Sequence, residues 1–157
     1  VYEDGKTPLF LLLDRVTDVR NFGAIARTAE CAGVQAIIVP MKGGAQINAD
    51  AMKTSSGALN FLPICREPNL YETLIYLRNS GLQIIACTEK TDKSLYSIDF
   101  TVPTVIIMGS EEDGISKEFI QLADSGAKIP LVGQVESLNV SVASSIVLYE
   151  AVRQRTV

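Results

Sequence analysis

Histidine is absent from the 157 residues. With it go the commonest general base and the commonest metal ligand, so serine-hydrolase triads and zinc chemistry are excluded together. Cysteine is scarce: Cys31, Cys65 and Cys87 follow no metal-ligand spacing and leave one thiol over in any disulfide scheme, which reads as free thiols in a reducing cytosol. No run of about 18 apolar residues is present to span a bilayer. A leader with a basic start, an apolar middle and a small-residue cleavage site is also missing, so a cytoplasmic chain with no membrane partner is expected. Positive charge is in deficit, the net charge being -4 and the pI about 4.8. A grip on nucleic acid by bulk electrostatics is therefore disfavoured; such a partner must be held by a local basic patch, a second subunit or a module outside this chain.

What is present is apolar residue, 47% of the chain, enough to bury a core in a single domain. Leu9 to Leu13, Ala36 to Val39, Gln83 to Cys87 and Val105 to Met108 are short apolar runs bounded by polar or glycine-containing turns, the pattern of strands buried on both faces. Helical periodicity lies between them. In Asn21 to Ala32, Phe22, Ile25, Ala26 and Ala29 fall on one face, Arg27 falls opposite, and Gly33 follows where a left-handed residue ends a helix. A second helix spans Leu70 to Arg78, closed by Asn79-Ser80-Gly81. A third follows Ser116, and a last one runs from Asn139 to Gln154. Strand alternating with helix predicts an α/β domain, a mainly parallel sheet flanked by helices. Residues 1–8, V-Y-E-D-G-K-T-P, read as a linker from an upstream domain, and 9–157 as the folded unit.

Three loops could carry chemistry. In Asn21-Phe22-Gly23-Ala24-Ile25-Ala26-Arg27, Asn21 is a suitable N-cap and Gly23 admits a second backbone or a ligand to the first helical turn. A capped helix bearing a solvated arginine is a sufficient account of this segment by itself. The second loop, Gly109-Ser110-Glu111-Glu112-Asp113-Gly114-Ile115-Ser116, has the glycine spacing of a phosphate loop. Ile115 stands where that loop needs lysine, and three consecutive carboxylates repel phosphate. Its acceptors suit ribose hydroxyls, ammonium groups or an arginine, or simply cap the next helix. The third loop, Ile129 to Ala143, crowds Ser137, Asn139 and Ser141 at the mouth of the last helix, more than one cap requires.

Together these segments resemble the three signature motifs of the SpoU/TrmH family in the SPOUT methyltransferase superfamily. N-F-G-A-I-A-R at 21–27, I-M-G-S-E-E-D-G at 107–114 and I-P-L-V-G-Q-V-E-S-L-N-V-S-V-A at 129–143 occur in the family's order. The ending Tyr149 to Arg155 is similar to the tail of bacterial members that modify ribosomal RNA. Glu112 and Asp113 depart from the pattern, since many members have glycine after the glutamate.

The resemblance implies a C-terminal deep trefoil knot, whereas general chain topology favours an open doubly wound sheet. It implies S-adenosylmethionine as cofactor, released as S-adenosylhomocysteine, held around Met108, Gly109, Ser110, Glu111, Ile129, Leu131, Leu138 and Asn139, with no metal. A homodimer packed partly through the last helix is expected. The implied reaction is methylation of a ribose 2′-hydroxyl in RNA, first a guanosine of large-subunit ribosomal RNA and second a transfer RNA. The alternative from a different class is an idle RNA-binding or ribosome-assembly domain. Arg27 is the catalytic residue by resemblance; since a guanidinium does not readily give up its proton, its expected role is to bind phosphate and stabilise charge on the 2′-oxygen. Glu111 is expected to orient Arg27, Asn21 and Asn139 to hold their two loops together, and Ser137 to place the substrate or Arg27.

Overall fold

The computed structural model describes residues 5–45 and 47–156. The four apolar runs become central strands. β1 (Leu9–Asp14) lies beside β5 (Thr104–Gly109), with Leu9 opposite Thr104 and Asp14 opposite Gly109. β2 (Ala36–Pro40) and β4 (Gln83–Cys87) flank this pair, and β3 (Ile64–Glu67) and β6 (Ser125–Ala127) form the edges. The sheet runs β3-β2-β1-β5-β4-β6 with every pairing parallel, as expected of an α/β domain.

Alternation along the strands sorts the core into two layers. Leu9, Leu11, Leu13, Ile106 and Met108 pack with Phe22, Ile25 and Ala29 of α1 (Val19–Cys31) and with Val147 and Leu148 of α5 (Val140–Arg155). Leu12, Val105 and Ile107 pack with Leu74 and Leu77 of α3 (Leu70–Asn79) and with Phe119 and Leu122 of α4 (Lys117–Leu122). Each fully buried Leu, Ile or Phe contributes roughly 1.5–3 kcal/mol, so these layers hold the helices to the sheet.

α1 starts earlier than its sequence suggests. Asp18 is the N-cap, its carboxylate accepting from the Asn21 backbone N–H at 2.9 Å, and Asn21 lies inside the first turn. The expected cap at Asn21 is therefore corrected: Asp18 supplies the acceptor first, and Val19 and Arg20 extend the helix without a break. Gly33 ends it at φ +80°.

Three elements escaped the sequence. α2 (Ala49–Thr54), capped by Asn48, buries only Ala51 and so has no apolar stripe to read. β3 is a half-buried edge strand. β6 is Ser-Gly-Ala, without one β-branched residue, and is anchored where Asp124 accepts from the Ile84 N–H at 2.7 Å.

The C-terminal turn of α5 grips the entrance to β1. Arg155 donates to the carbonyls of Phe100 at 2.7 Å, Thr7 at 2.9 Å, Val102 at 3.0 Å and Pro8 at 3.1 Å, so the end of the expected linker 1–8 is built into the fold. Residues 1–4 of that linker lie outside the described residues.

The site follows from the crossovers. β1 feeds α1 on one face of the sheet, while β5 feeds α4 on the other. Loops that part in this way open a crevice at the carboxyl ends of the strands. After β6 the chain returns from the sheet edge and enters α5, which packs beside α1.

Candidate active site

The crevice is built on Asp14 and Gly109, the paired last residues of β1 and β5. Buried Asp14 accepts from the Ser116 N–H at 2.6 Å, and Arg15 donates to the Ser116 hydroxyl at 2.9 Å. These bonds fasten the far end of the 110–116 loop to β1. Inside the loop the Gly114 N–H donates to the Ser110 carbonyl at 2.8 Å, and the Asp113 N–H to the Ser110 hydroxyl at 3.1 Å. The fold-back is tight enough that a Cβ on Gly109 would stand 2.3 Å from the Gly114 carbonyl carbon.

This loop clamps the start of α5. Glu111 accepts from the Val140 N–H at 3.1 Å, where the helix dipole favours a carboxylate. Asn139 caps the same helix, accepting from the Ser141 N–H at 2.8 Å and from the Ser141 hydroxyl. Its own amide donates to the Asn21 side-chain oxygen at 3.1 Å. The three sequence motifs therefore meet at one junction.

Between them lies a cavity of about 260 Å³. Met108, Gly109, Ser110 and Glu111 line it from β5 and its loop, and Ile129, Leu131, Ser137 and Leu138 line it from the segment before α5. Thr88, Glu89 and Lys90 close it beyond β4. Apolar walls joined to the carboxylates of Glu89, Glu111, Glu112, Asp113 and Glu136 suit a ligand with an apolar ring and positive charge. Burial pushes the Cys87 thiol in this wall up to about 12, which keeps it neutral and unreactive near pH 7.

Most expected cofactor contacts line this cavity; Asn139 does not, because its side chain is spent on the α5 cap and on Asn21. Of the three polar residues at the mouth of α5, Asn139 is the cap, and Ser137 is exposed at the cavity wall. At Gly23 the second backbone, not a ligand, is what comes close: a Cβ there would lie 2.7 Å from the Thr54 Cβ and 2.9 Å from the Ala51 carbonyl oxygen, so its bareness serves the packing of α2 on α1. Among the described residues Glu111 makes no hydrogen bond or ion pair to Arg27, and its carboxylate accepts from the α5 N-terminus. Arg27 lines a separate open groove with Arg20, Asp50, Lys53, Thr54 and Ser56.

Thr88 to Lys90 went unnoticed in the sequence, although their place just past an apolar run was a usable signal, because strand carboxyl ends line such crevices. Lys53 gave none, α2 having no period. Among the described residues no group of three His, Cys, Asp or Glu side chains is placed to hold a metal. No described helix is long and apolar enough to cross a membrane.

Residues 8–149 match the model of the SpoU rRNA Methylase family. The 23S rRNA (guanosine-2′-O-)-methyltransferase RlmB of Pseudomonas aeruginosa is 44% identical over 149 residues, which are 95% of this chain and 60% of that protein. The SpoU methyltransferase AviRb of Streptomyces viridochromogenes, solved in complex with AdoMet, superposes with a TM-score of 0.88 at 33% identity, covering 96% of this chain and 62% of that one. The TrmH/SpoU tRNA modifying enzyme of A. aeolicus gives a TM-score of 0.87 at 35% identity, covering 96% and 77%. The chain spans 60% to 64% of the length of the curated relatives it matches.

Proposed function

The chain belongs to the SpoU rRNA Methylase family, and on that premise we propose that it methylates a ribose 2′-hydroxyl in structured RNA, first a guanosine of large-subunit ribosomal RNA. The observation that carries this reading is the junction of the three motifs around one cavity, fastened by Asn139 to Asn21 and by Glu111 to Val140.

S-adenosylmethionine, when bound, supplies a methyl group on a sulfonium and leaves as S-adenosylhomocysteine. The cavity fits such a molecule: Met108, Ile129, Leu131 and Leu138 offer apolar walls for an adenine, and the acidic side chains offer acceptors for ribose hydroxyls and ammonium. Ser137 would meet the acceptor ribose, a role that its exposure on the cavity wall supports.

The chain's own contribution is position and electrostatics. Holding a hydroxyl in line with a methyl group removes much of the entropic barrier, and fixed dipoles in a dry pocket stabilise the developing oxyanion. Arg27 supplies the positive charge for that oxygen and for the neighbouring phosphate. Because Arg27 lies outside the cavity of its own chain, this role calls for a homodimer that brings Arg27 of one subunit to the cavity of the other. Val142 and Tyr149, both 47% exposed on α5, support a dimer packed partly through that helix. The reading requires no metal.

The finer fold reading is the deep trefoil knot. It is supported by the path of the segment before α5, where the Lys128 N–H donates to the Lys93 carbonyl at 2.9 Å and the Leu95 N–H to the Lys128 carbonyl at 2.7 Å. A cytoplasmic setting follows from the ribosomal substrate. Transfer RNA is the second substrate reading, favoured by the likeness to the A. aeolicus enzyme. An RNA-binding region beyond 9–157 would add to the RNA affinity of this acidic chain.

The test supplies methyl-tritiated S-adenosylmethionine and unmethylated 23S ribosomal RNA, then maps 2′-O-methyl positions by resistance to alkaline cleavage. One labelled ribose is expected. Label on a base, or none, overturns the reading, and calorimetry with S-adenosylmethionine distinguishes an idle module, which has no reason to bind it.

A further inference from the structure

The open groove lined by Arg27 concentrates positive charge in a chain of net charge -4. Arg20 and Arg27 are seven residues apart on α1 and so share one face of that helix. Gly23 lies between them on that face. α2 sits against it closely enough that a Cβ on Gly23 would meet the Thr54 Cβ at 2.7 Å and the Ala51 carbonyl oxygen at 2.9 Å. This approach brings Lys53 to the two arginines, and all three line the groove with Thr54, Ser56 and one acid, Asp50.

Local stability does not explain these charges. Arg20 occupies the first turn of α1, where the helix dipole disfavours a cation, and the one carboxylate at that end, the Asp18 cap, is engaged by the Asn21 N–H and makes no ion pair with Arg20. Among the described residues none of Arg20, Arg27 and Lys53 has an ion-pair partner within 4.0 Å. The turn that follows Lys53 is strained: Ser56 holds φ +53°, rare for a residue with a side chain. Ser56 lines the groove, and among the described residues its hydroxyl makes no hydrogen bond. Two guanidinium forks, an ammonium and a free hydroxyl facing one groove match the oxygens of a phosphodiester.

We propose that Arg20 and Lys53, together with Arg27, form a seat for the backbone phosphates of the RNA strand that carries the target ribose. The seat rests on the methyltransferase reading only for the identity of its RNA. It holds the strand through phosphate and carries no base preference, and it supplies the local basic patch that an acidic chain needs to hold RNA.

The experiment measures the affinity of the full chain for an unmodified 23S ribosomal RNA transcript across a salt series, with methyl transfer to the same transcript read in parallel. Arg20→Gln and Lys53→Gln should each make the plot of log affinity against log salt shallower by about one, and the double variant by about two. Lys53→Arg should retain the wild-type slope. Lys117→Gln, an exposed lysine on α4, serves as control and should leave the slope unchanged. Calorimetry with S-adenosylmethionine confirms that each variant is folded. Wild-type slopes in both glutamine variants, or no salt-dependent binding by the wild type, overturn the seat. Loss of slope in the variants while the wild type transfers no methyl supports the seat and rejects the methyltransferase reading. Methyl transfer with unchanged slopes does the reverse.

Discussion

Asn139 donates its side-chain amide to the Asn21 side-chain oxygen at 3.1 Å across 118 positions of sequence. One residue thus caps α5 and ties it to the first turn of α1. The two duties are separable. Asn139→Ala removes cap and tether and should destabilise the chain by about 0.5–2 kcal/mol. Asn21→Ala removes the tether alone and should cost less, because Asp18 continues to cap α1. In urea titrations the double variant should lose less than the sum of the singles. Strict additivity would mean that the bond contributes nothing to holding the junction.

Gly109→Ala tests the fold-back of the loop after β5. Its new Cβ would stand 2.3 Å from the Gly114 carbonyl carbon and 2.6 Å from the Ile115 N. Those are backbone atoms, so the whole 110–114 turn must move and carry Glu111 off the α5 N-terminus. We expect a stability loss of about 1–3 kcal/mol, as for other overpacked sites, and at least a tenfold weakening of S-adenosylmethionine binding by calorimetry. Cofactor affinity equal to wild type would separate the cavity from the methyl donor.

The sheet and the meeting of the three motifs at one cavity were legible in the sequence for physical reasons. Strands buried on both faces advertise themselves as continuous apolar runs, and the turn at Gly109 and the cap at Asn139 use residue types that few other structures demand. The start of α1 was obscured because Asp18 and Asn21 are both good caps and nothing between them breaks a helix. β6 was obscured because Ser125-Gly126-Ala127 pairs through its backbone, and Gly126 is dictated by a neighbour: a Cβ there would meet the Thr91 Cβ at 2.9 Å. The position of Arg27 was the largest gap. Periodicity put it on the polar face of α1 correctly, but a helical period does not say which cavity that face meets.

Arg27→Ala isolates charge from cofactor binding. Arg27 is exposed, lines the open groove, and takes no part in the cavity of its own chain. The variant should bind S-adenosylmethionine within a few-fold of wild type and transfer no measurable methyl to RNA. Mixing it with a second variant whose lesion lies at the cavity and leaves Arg27 intact, such as Gly109→Ala, should restore part of the activity through hybrid dimers. Wild-type turnover by Arg27→Ala would remove the arginine from the chemistry. Failure of the mixture to recover activity would place both elements in the same subunit.

Glu150 gives the fold an acid-sensitive point remote from the cavity. Its buried carboxylate accepts from Arg153 at 2.7 and 3.1 Å and from Gln154 at 2.9 Å. The Arg153 hydrogen bond is the main cause holding its pKa below the ordinary glutamate value; burial opposes that shift, and Gln154 and the Arg153 charge add to it. The folded chain therefore releases this proton more readily than the unfolded one. Stability from the group is fully present above the unfolded value and is lost as pH falls through the depressed folded value. Glu150→Gln cannot titrate and presents an amide N–H₂ to donors. It should melt below wild type near pH 7, and the gap should shrink as pH drops below the ordinary carboxylate range, while the other carboxylates act equally on both proteins. Melting curves that stay parallel from neutral to acid pH would show that Glu150 keeps the same proton affinity folded and unfolded, and that its ring of donors contributes no pH-linked stability.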